Sequence, residues 1–325
     1  MEESVTNPTE TALLQPGTLW AKTTQQTQYA RECGALKSIE TEYQLIQQND
    51  ISFVVRSLSS LARKEQARKK QTETEHKIGK EIDPFLPYEP ELFVGDISPS
   101  HICLLNKFNV VDNHLLIVTR DFEEQTDLLN LEDFAALWCC LQEIDGLAFY
   151  NGGKTAGASQ RHKHLQLIPL PFLPNVVHLP INNAIANVNF ENVFGRIASF
   201  PFCHAIASLA LSSSRSPKAA AKILLQHYHA LLNLVGFKID STTVNQRQPG
   251  AYNCLITRNW MLIVPRSQES FQHIPINSLG FAGSLFVRDR TSLKLLKDLT
   301  PIRLLQNVAI SDEDFAAREN SNQID

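Results

Sequence analysis

No apolar run in the 325 residues approaches the roughly 18–20 positions that a helix needs to cross a bilayer. The opening residues, Met1-Glu2-Glu3-Ser4, are acidic and lack the cationic start and apolar stretch of a secretory signal. Neither charge sign dominates: 30 Lys and Arg stand against 34 Asp and Glu, a net charge of −4. That balance offers no surplus of positive charge for holding a phosphate backbone non-specifically. Neither nucleic acid nor membrane is therefore expected as a partner. Six cysteines are present without the paired spacing of zinc ligands: Cys139 and Cys140 adjoin, while Cys33, Cys103, Cys203 and Cys254 are scattered. They read as reduced, mostly buried thiols of a cytoplasmic protein. No internal repeat is visible. What the composition supplies is apolar mass, 43 % of the chain, enough for one large domain or two smaller ones.

The pattern along the chain alternates strand-like and helix-like segments. Residues 1–25 are polar and read as partly helical. Strands are expected at Ile51–Arg56, Ile102–Leu105, His114–Thr119, Ala148–Asn151, the segment that ends at Pro169, Tyr252–Ile256 and Trp260–Val264. Apolar positions from Leu128 to Leu141 recur with helical spacing and predict a helix over Asp127–Gly146; a second is expected at Ala219–Val235. Arg63–Lys80 carries seven basic and three acidic residues and reads as a solvated loop. A single long helix between hydrogen-bonding strands fits an α+β antiparallel sheet better than a parallel series.

Residues 151–171 hold the chemistry. His162, His164 and Gln166 alternate where a glycine- and serine-bearing loop enters an apolar stretch. On a strand, alternate side chains share a face, so these three point one way and Lys163, Leu165 and Leu167 the other. Three readings are open. A neutral imidazole could attack phosphorus and form a phosphoramidate, with Gln166 and loop amides stabilising charge on the phosphoryl oxygens. The pair could ligate a metal, but no third ligand is apparent nearby, and no metal site is assigned. Or the residues could be ordinary polar side chains on a solvated face. Gly153-Lys154-Thr155 is not a P-loop, because Ala148 stands where its first glycine is required. His227-Tyr228-His229 lies in a helical pattern, where residues two apart do not share a face.

The segment Gly157-Ala-Ser-Gln-Arg-His-Lys-His-Leu-Gln166 resembles the active-site segment of diadenosine tetraphosphate (Ap4A) phosphorylases, also called ATP adenylyltransferases, of the histidine-triad superfamily. Asp83-Pro-Phe-Leu-Pro-Tyr, Leu104-Leu-Asn-Lys-Phe-Asn-Val, His114-Leu-Leu-Ile-Val-Thr, Arg258-Asn-Trp-Met-Leu-Ile-Val-Pro-Arg-Ser and Asn277-Ser-Leu-Gly-Phe-Ala-Gly resemble further blocks of that family, in the expected order. The resemblance implies a histidine-triad-like antiparallel sheet flanked by helices, with an extended C-terminal region. Residues 1–175 would carry the site, and 176–325 would complete the fold and the nucleotide site. It implies His164 as covalent nucleophile, His162 as its orienting neighbour through the backbone carbonyl, and Gln166 as the amide that holds the phosphoryl oxygens. Asn151, Gly157, Ser159 and Gln160 would position the histidines and contact substrate, with Lys154 and Lys64 as further contacts and Asn106, Lys107 and Asn109, just before His114, as ligand candidates. For His114 a packing and hydrogen-bonding role is expected. Arg258, Asn259 and Arg266 could bind distant phosphates or serve strand edges. The implied reaction is phosphorolysis of Ap4A to ATP and ADP, with Mg²⁺ or another divalent cation travelling on the polyphosphate. A hydrolase of the same superfamily and a non-catalytic nucleotide sensor are the rivals. The expected assembly is a monomer or small oligomer.

Overall fold

A computed structural model describes residues 13–57, 83–173, 178–212, 214–239 and 246–315. Lys64 and the basic stretch around it lie outside the described residues. The described residues open with helix α1 (Leu19–Glu32) and the hairpin of strands β1 (Glu42–Gln48) and β2 (Ile51–Ser57). Strands β3 (Phe93–Ser98), β4 (His101–Leu105) and β5 (Leu115–Thr119) lead into helix α2 (Leu131–Glu143), followed by β6 (Gly146–Gly152) and β7 (His164–Pro169). Then come α3 (Asn182–Ala186), β8 (Phe194–Gly195), β9 (Ala205–Ser208), helix α4 (Pro217–Leu234), β10 (Tyr252–Ile256) and β11 (Trp260–Pro265). A small hairpin, β12 (Ser270–Phe271) with β13 (Ile274–Pro275), precedes α5 (Ser278–Phe281), β14 (Ser284–Val287), α6 (Arg290–Leu299) and α7 (Pro301–Val308).

Among the described residues nine strands form one antiparallel sheet in the order β3-β4-β5-β7-β6-β10-β11-β9-β8. Its centre is the pairing of β6 with β7 on one side and β10 on the other, so both halves of the chain share one sheet. The expected strands are present within a residue or two at their ends. Helix α2 is shorter than the periodicity predicts. It starts at Leu131 because Asn130 and Asp133 form a reciprocal capping box, the Asn130 side chain accepting from Asp133 N and the Asp133 carboxylate from Asn130 N. Before it, Asp127 bridges Arg247 and Leu128 N donates to the Gln246 carbonyl.

The two faces differ. Leu165 and Leu167 of β7, with Ala148 and Tyr150 of β6, join the core under α2 and α4. Phe149 and Ile168 point the other way, into a second core built with β2, β14 and α7. Leu116 and Val118 of β5, on that same side, form a small third cluster with Phe85, Ile102 and Leu104. The alternation therefore delivers His164 and Gln166 to the face between two apolar clusters rather than beneath a helix.

Candidate functional site

The ladder of β7 begins at His164, not at His162. Opposite His164 on β5 stands Val118, and opposite Gln166 stand Leu116 on β5 and Phe149 on β6. His162 makes only an isolated bridge to Glu124. Its imidazole has Nδ1 2.7 Å from an Asp83 carboxylate oxygen and Nε2 2.8 Å from the Thr119 carbonyl and 3.0 Å from its hydroxyl. The first member of the row expected from the sequence thus lies before the ladder, with both of its ring nitrogens engaged, and Phe85 packs against it at 5.8 Å.

His164 is held differently. Its Nδ1 lies 2.8 Å from the backbone carbonyl of His162, and Nε2 has no partner among the described residues. The ring is buried, 4 % exposed, with Phe85 edge-on at 5.0 Å. Burial pushes its pKa down to about 4, outweighing the bond to the carbonyl. At neutral pH the ring is therefore uncharged. With the proton on Nδ1, where the carbonyl accepts it, the Nε2 lone pair is available. Phe85 is fixed by its own N–H, which donates to the Asp83 carboxylate at 2.9 Å. One short segment, Asp83–Phe85, therefore touches both histidines.

Beyond Phe149 and Gln166 the β6–β7 ladder stops, and a side chain takes over. Gln125 Oε1 accepts the His164 N–H at 2.9 Å, while its Nε2 donates to the carbonyls of Asn151 and His164 at 3.0 and 3.2 Å. A buried carboxamide thus acts as a rung between two separating strands. Its own backbone carbonyl accepts from the Tyr150 hydroxyl at 2.6 Å. No sequence pattern points to Gln125, since all of these partners are distant in the chain.

Two site amides have their oxygens turned inward. Asn151 Oδ1 accepts from Asn253 Nδ2, Ser278 N and Ser278 Oγ at 2.8–3.0 Å. Asn253 is itself oriented by Arg266, whose Nη1 donates to Asn253 Oδ1 at 2.6 Å. Gln166 Oε1 lies 2.9 Å from His114 Nε2. Neither amide nitrogen has a partner among the described residues.

Lys163 faces away from the histidines, as alternation requires. Its ammonium is buried, 1 % exposed, and pairs with Asp133 at 2.7 Å and Glu123 at 2.9 Å. Desolvation opposes its charge, but Asp133 and Glu123 outweigh that and raise its pKa. Asp133 also meets His101 Nε2 at 3.0 Å. This ionic knot ties the histidine segment to the first turn of α2.

The loop residues are placed unevenly. Lys154 is exposed on a 3-10 turn, Lys154–Ala156, and Ser159 is exposed; Gln160 is half-buried. Gly157 has φ +91°, and a Cβ there would lie 2.8 Å from the Ile276 carbonyl, so only glycine lets this loop lie against the start of α5. Asn109 stands apart. Its Oδ1 accepts from Ser38 Oγ at 2.8 Å and its Nδ2 donates to the Val111 carbonyl at 3.0 Å, beside a cleft of about 590 Å³ that Arg31, Thr41 and Arg56 also line. Arg258 caps the end of α2 through the Leu141 and Gln142 carbonyls, Asn259 lies in the β10–β11 turn, and Arg266 is buried against backbone carbonyls. Of the two roles open to these three, the structural one is what their contacts show. His227 and His229 are half-buried on α4, and His227 Nδ1 bonds its own helix.

The antiparallel sheet flanked by helices has the histidine-triad-like fold. Within it the chain belongs to the Ap4A phosphorylase family: residues 9–187 match the Ap4A phosphorylase N-terminal domain, and residues 198–311 match the ATP adenylyltransferase C-terminal domain. Diadenosine 5',5'''-P1,P4-tetraphosphate phosphorylase 2 of Saccharomyces cerevisiae is 30 % identical over 293 residues, 83 % of this chain and 87 % of that protein. Protein APA1 of the same yeast is 27 % identical over 271 residues, 79 % of this chain and 82 % of that protein. The crystal structure of yeast Ap4A phosphorylase Apa2 in complex with AMP superposes with a TM-score of 0.72 at 25 % identity, covering 93 % of this chain and 98 % of that one.

Proposed function

We propose that the protein is an Ap4A phosphorylase, an adenylyltransferase that works through a covalent adenylyl-histidine. The observation that carries this is His164: a buried, neutral imidazole with Nδ1 engaged and Nε2 without a partner among the described residues. Nε2 attacks the α-phosphorus of Ap4A, the bond to the bridging oxygen breaks, and ATP leaves. The Nδ1 proton stays on the ring, where the His162 carbonyl stabilises the charge that develops. The amide nitrogens of Gln166 and Asn151 donate to the phosphoryl oxygens as charge gathers there. An oxygen of inorganic phosphate then attacks the same phosphorus, the P–N bond breaks, and ADP is released. Run backwards, the steps make Ap4A from ATP and ADP.

Lys154, Ser159 and Gln160 contact the polyphosphate from the loop held by Gly157, with Lys64 and Asn109 as further substrate contacts. A divalent cation such as Mg²⁺ belongs to the substrate in this reading. Phosphate oxygens would carry it, as Mg²⁺ on a nucleoside polyphosphate commonly is carried. No helix of the described residues is long and apolar enough to cross a membrane. Six cysteines without paired spacing, four of them buried, support a cytoplasmic setting, and the reading requires no more than a monomer or small oligomer.

The test is Ap4A with and without phosphate. Phosphate-dependent formation of ADP and ATP is expected, together with acid-labile, base-stable AMP on the protein when phosphate is withheld. Phosphate-independent cleavage would instead mark a hydrolase, and binding without turnover a sensor. Full activity in His164→Ala would end the covalent mechanism.

A further inference from the structure

The orientation of the Gln166 amide traces back to one backbone N–H. Phe108 N donates to Asn106 Oδ1 at 3.2 Å, and a backbone N–H can only donate. Asn106 must therefore present its Nδ2 to His114, where Nδ2 lies 3.2 Å from Nδ1. A donor facing Nδ1 requires that nitrogen to be the acceptor, so the ring proton sits on Nε2. That proton faces Gln166 Oε1 at 2.9 Å and fixes the amide with its NH₂ group on the opposite side. Each link has one polarity, and reversing any of them puts two donors or two acceptors face to face.

The chain has a consequence for the reaction. A free glutamine can present either its oxygen or its nitrogen. An oxygen turned toward a phosphoryl group would repel the charge gathering there, whereas the nitrogen donates to it. We infer that Asn106 and His114 are positioning residues that hold the donor end of Gln166 toward the transferring phosphoryl group. The inference rests on the adenylyl-transfer reading above and names what makes Gln166 effective in it. The supports come from the β4–β5 connection, outside the histidine segment, so they are separable from the nucleophile. The backbone of that connection is held independently of the ring, by Asn106 N donating to the His114 carbonyl at 2.8 Å.

The experiment is a double-mutant cycle in the full-length protein, with Ap4A and phosphate as substrates. His114→Leu removes the donor, and His114→Gln keeps a donor near the position of Nε2. Asn106→Ala frees the His114 tautomer. In the otherwise native protein His114→Leu is expected to lower kcat about tenfold, the size of one lost hydrogen bond to a developing charge, with the KM for Ap4A little changed. His114→Gln should recover most of that loss, and Asn106→Ala should fall between. In a Gln166→Ala background the same His114→Leu should cost less than about twofold, because there is no amide left to orient. Thermal melts of each variant separate folding from positioning. An equal loss in both backgrounds, or a loss that follows the melting temperature, would overturn the inference. Absence of phosphorolysis in the unmodified protein would instead overturn the reading on which it rests.

Discussion

Two histidines in this molecule are built alike and end differently. His164 and His204 are both buried, 4 % and 3 % exposed, and each has Nδ1 2.8 Å from the carbonyl two residues before it, His162 in one case and Phe202 in the other. Each lies edge-on to a phenylalanine, Phe85 at 5.0 Å and Phe200 at 5.4 Å. Burial pushes both pKa values down to about 4. The difference is Nε2. At His204 it accepts the Ile197 N–H at 2.7 Å, whereas at His164 no partner is found among the described residues. A depressed pKa and an engaged Nδ1 therefore make a neutral imidazole, but they do not make a nucleophile. The far nitrogen decides, and at His204 the protein has already used it.

The largest effect that can break this comparison is on turnover. His164→Ala is expected to lower kcat/KM on the order of 10⁴-fold or more, as loss of a nucleophile does. His204→Ala should leave the turnover of folded protein within about threefold. It should instead cost about 1–3 kcal/mol of stability, because the Ile197 N–H is left buried without its acceptor. Phosphorolysis rates and urea midpoints on both variants check this. Loss of turnover in His204→Ala without loss of stability would remove the far nitrogen as the discriminator.

Next in size is Lys163, which stands between the two site histidines yet faces the other side. Lys163→Met keeps the apolar stem and removes the ammonium from Asp133, a fully buried carboxylate. Breaking such a pair from one side costs about 3–5 kcal/mol, so the urea midpoint should drop sharply. A loss below about 1 kcal/mol would mean that Glu123 and Asp133 do not depend on the lysine.

The third effect is on pH dependence and treats the two histidines as equals. The folded values lie near 4 and the unfolded value near 6.5. Between these limits the unfolded chain binds protons that the native rings refuse, so stability is full above 6.5 and falls as pH drops toward 4. Each histidine contributes roughly 3 kcal/mol to that loss. His204→Phe should remove about half of their joint slope, read from denaturation midpoints across the window. The reactivity of His164 should stay level from neutral pH down to about 5, because its nucleophilic form persists there.

The smallest effect concerns Lys154, exposed on its turn. Lys154→Met is expected to weaken Ap4A binding about two- to fivefold, the range for one exposed charge contact, with stability unchanged. Calorimetry in a His164→Ala background measures binding without turnover. Equal dissociation constants would leave Lys154 outside the site.

Much of this architecture was legible in the sequence because it rests on local signals. The strands at Ile102–Leu105, Tyr252–Ile256 and Trp260–Val264 are runs of apolar and β-branched residues, and they appear where the pattern puts them. The alternation that separates His164 and Gln166 from Lys163 and Leu165 holds as well. The helical reading of His227 and His229 holds for the same reason, its period of 3.6 residues. What was hidden depends on contacts made across the fold. Asp83 meets His162 across 79 residues, and Gln125 meets His164 across 39. Neither spacing has a period, and glutamine carries no chemical signature that would mark it as a rung between strands. His204 was invisible for the opposite reason: a lone histidine beside apolar residues gives no hint that it copies the local geometry of His164. The late start of the predicted helix follows from Asn130, a capping signal that apolar periodicity alone does not register.

The pairing of β6 with β10 has one more consequence. Asn151 comes from the first family segment and Asn253, its partner across the ladder, from the second; Ser278 and Arg266, which complete the set, are also from the second. The donor group at Asn151 is thus aimed by residues that the first segment does not contain. Cut between residues 187 and 198, the chain would leave β6 as a raw edge, with the aim of Asn151 lost along with its neighbour strand. Catalysis then becomes a gauge of reunion: two separately made fragments would regain turnover only to the extent that the seam closes in register, and a slip of one residue would read as silence.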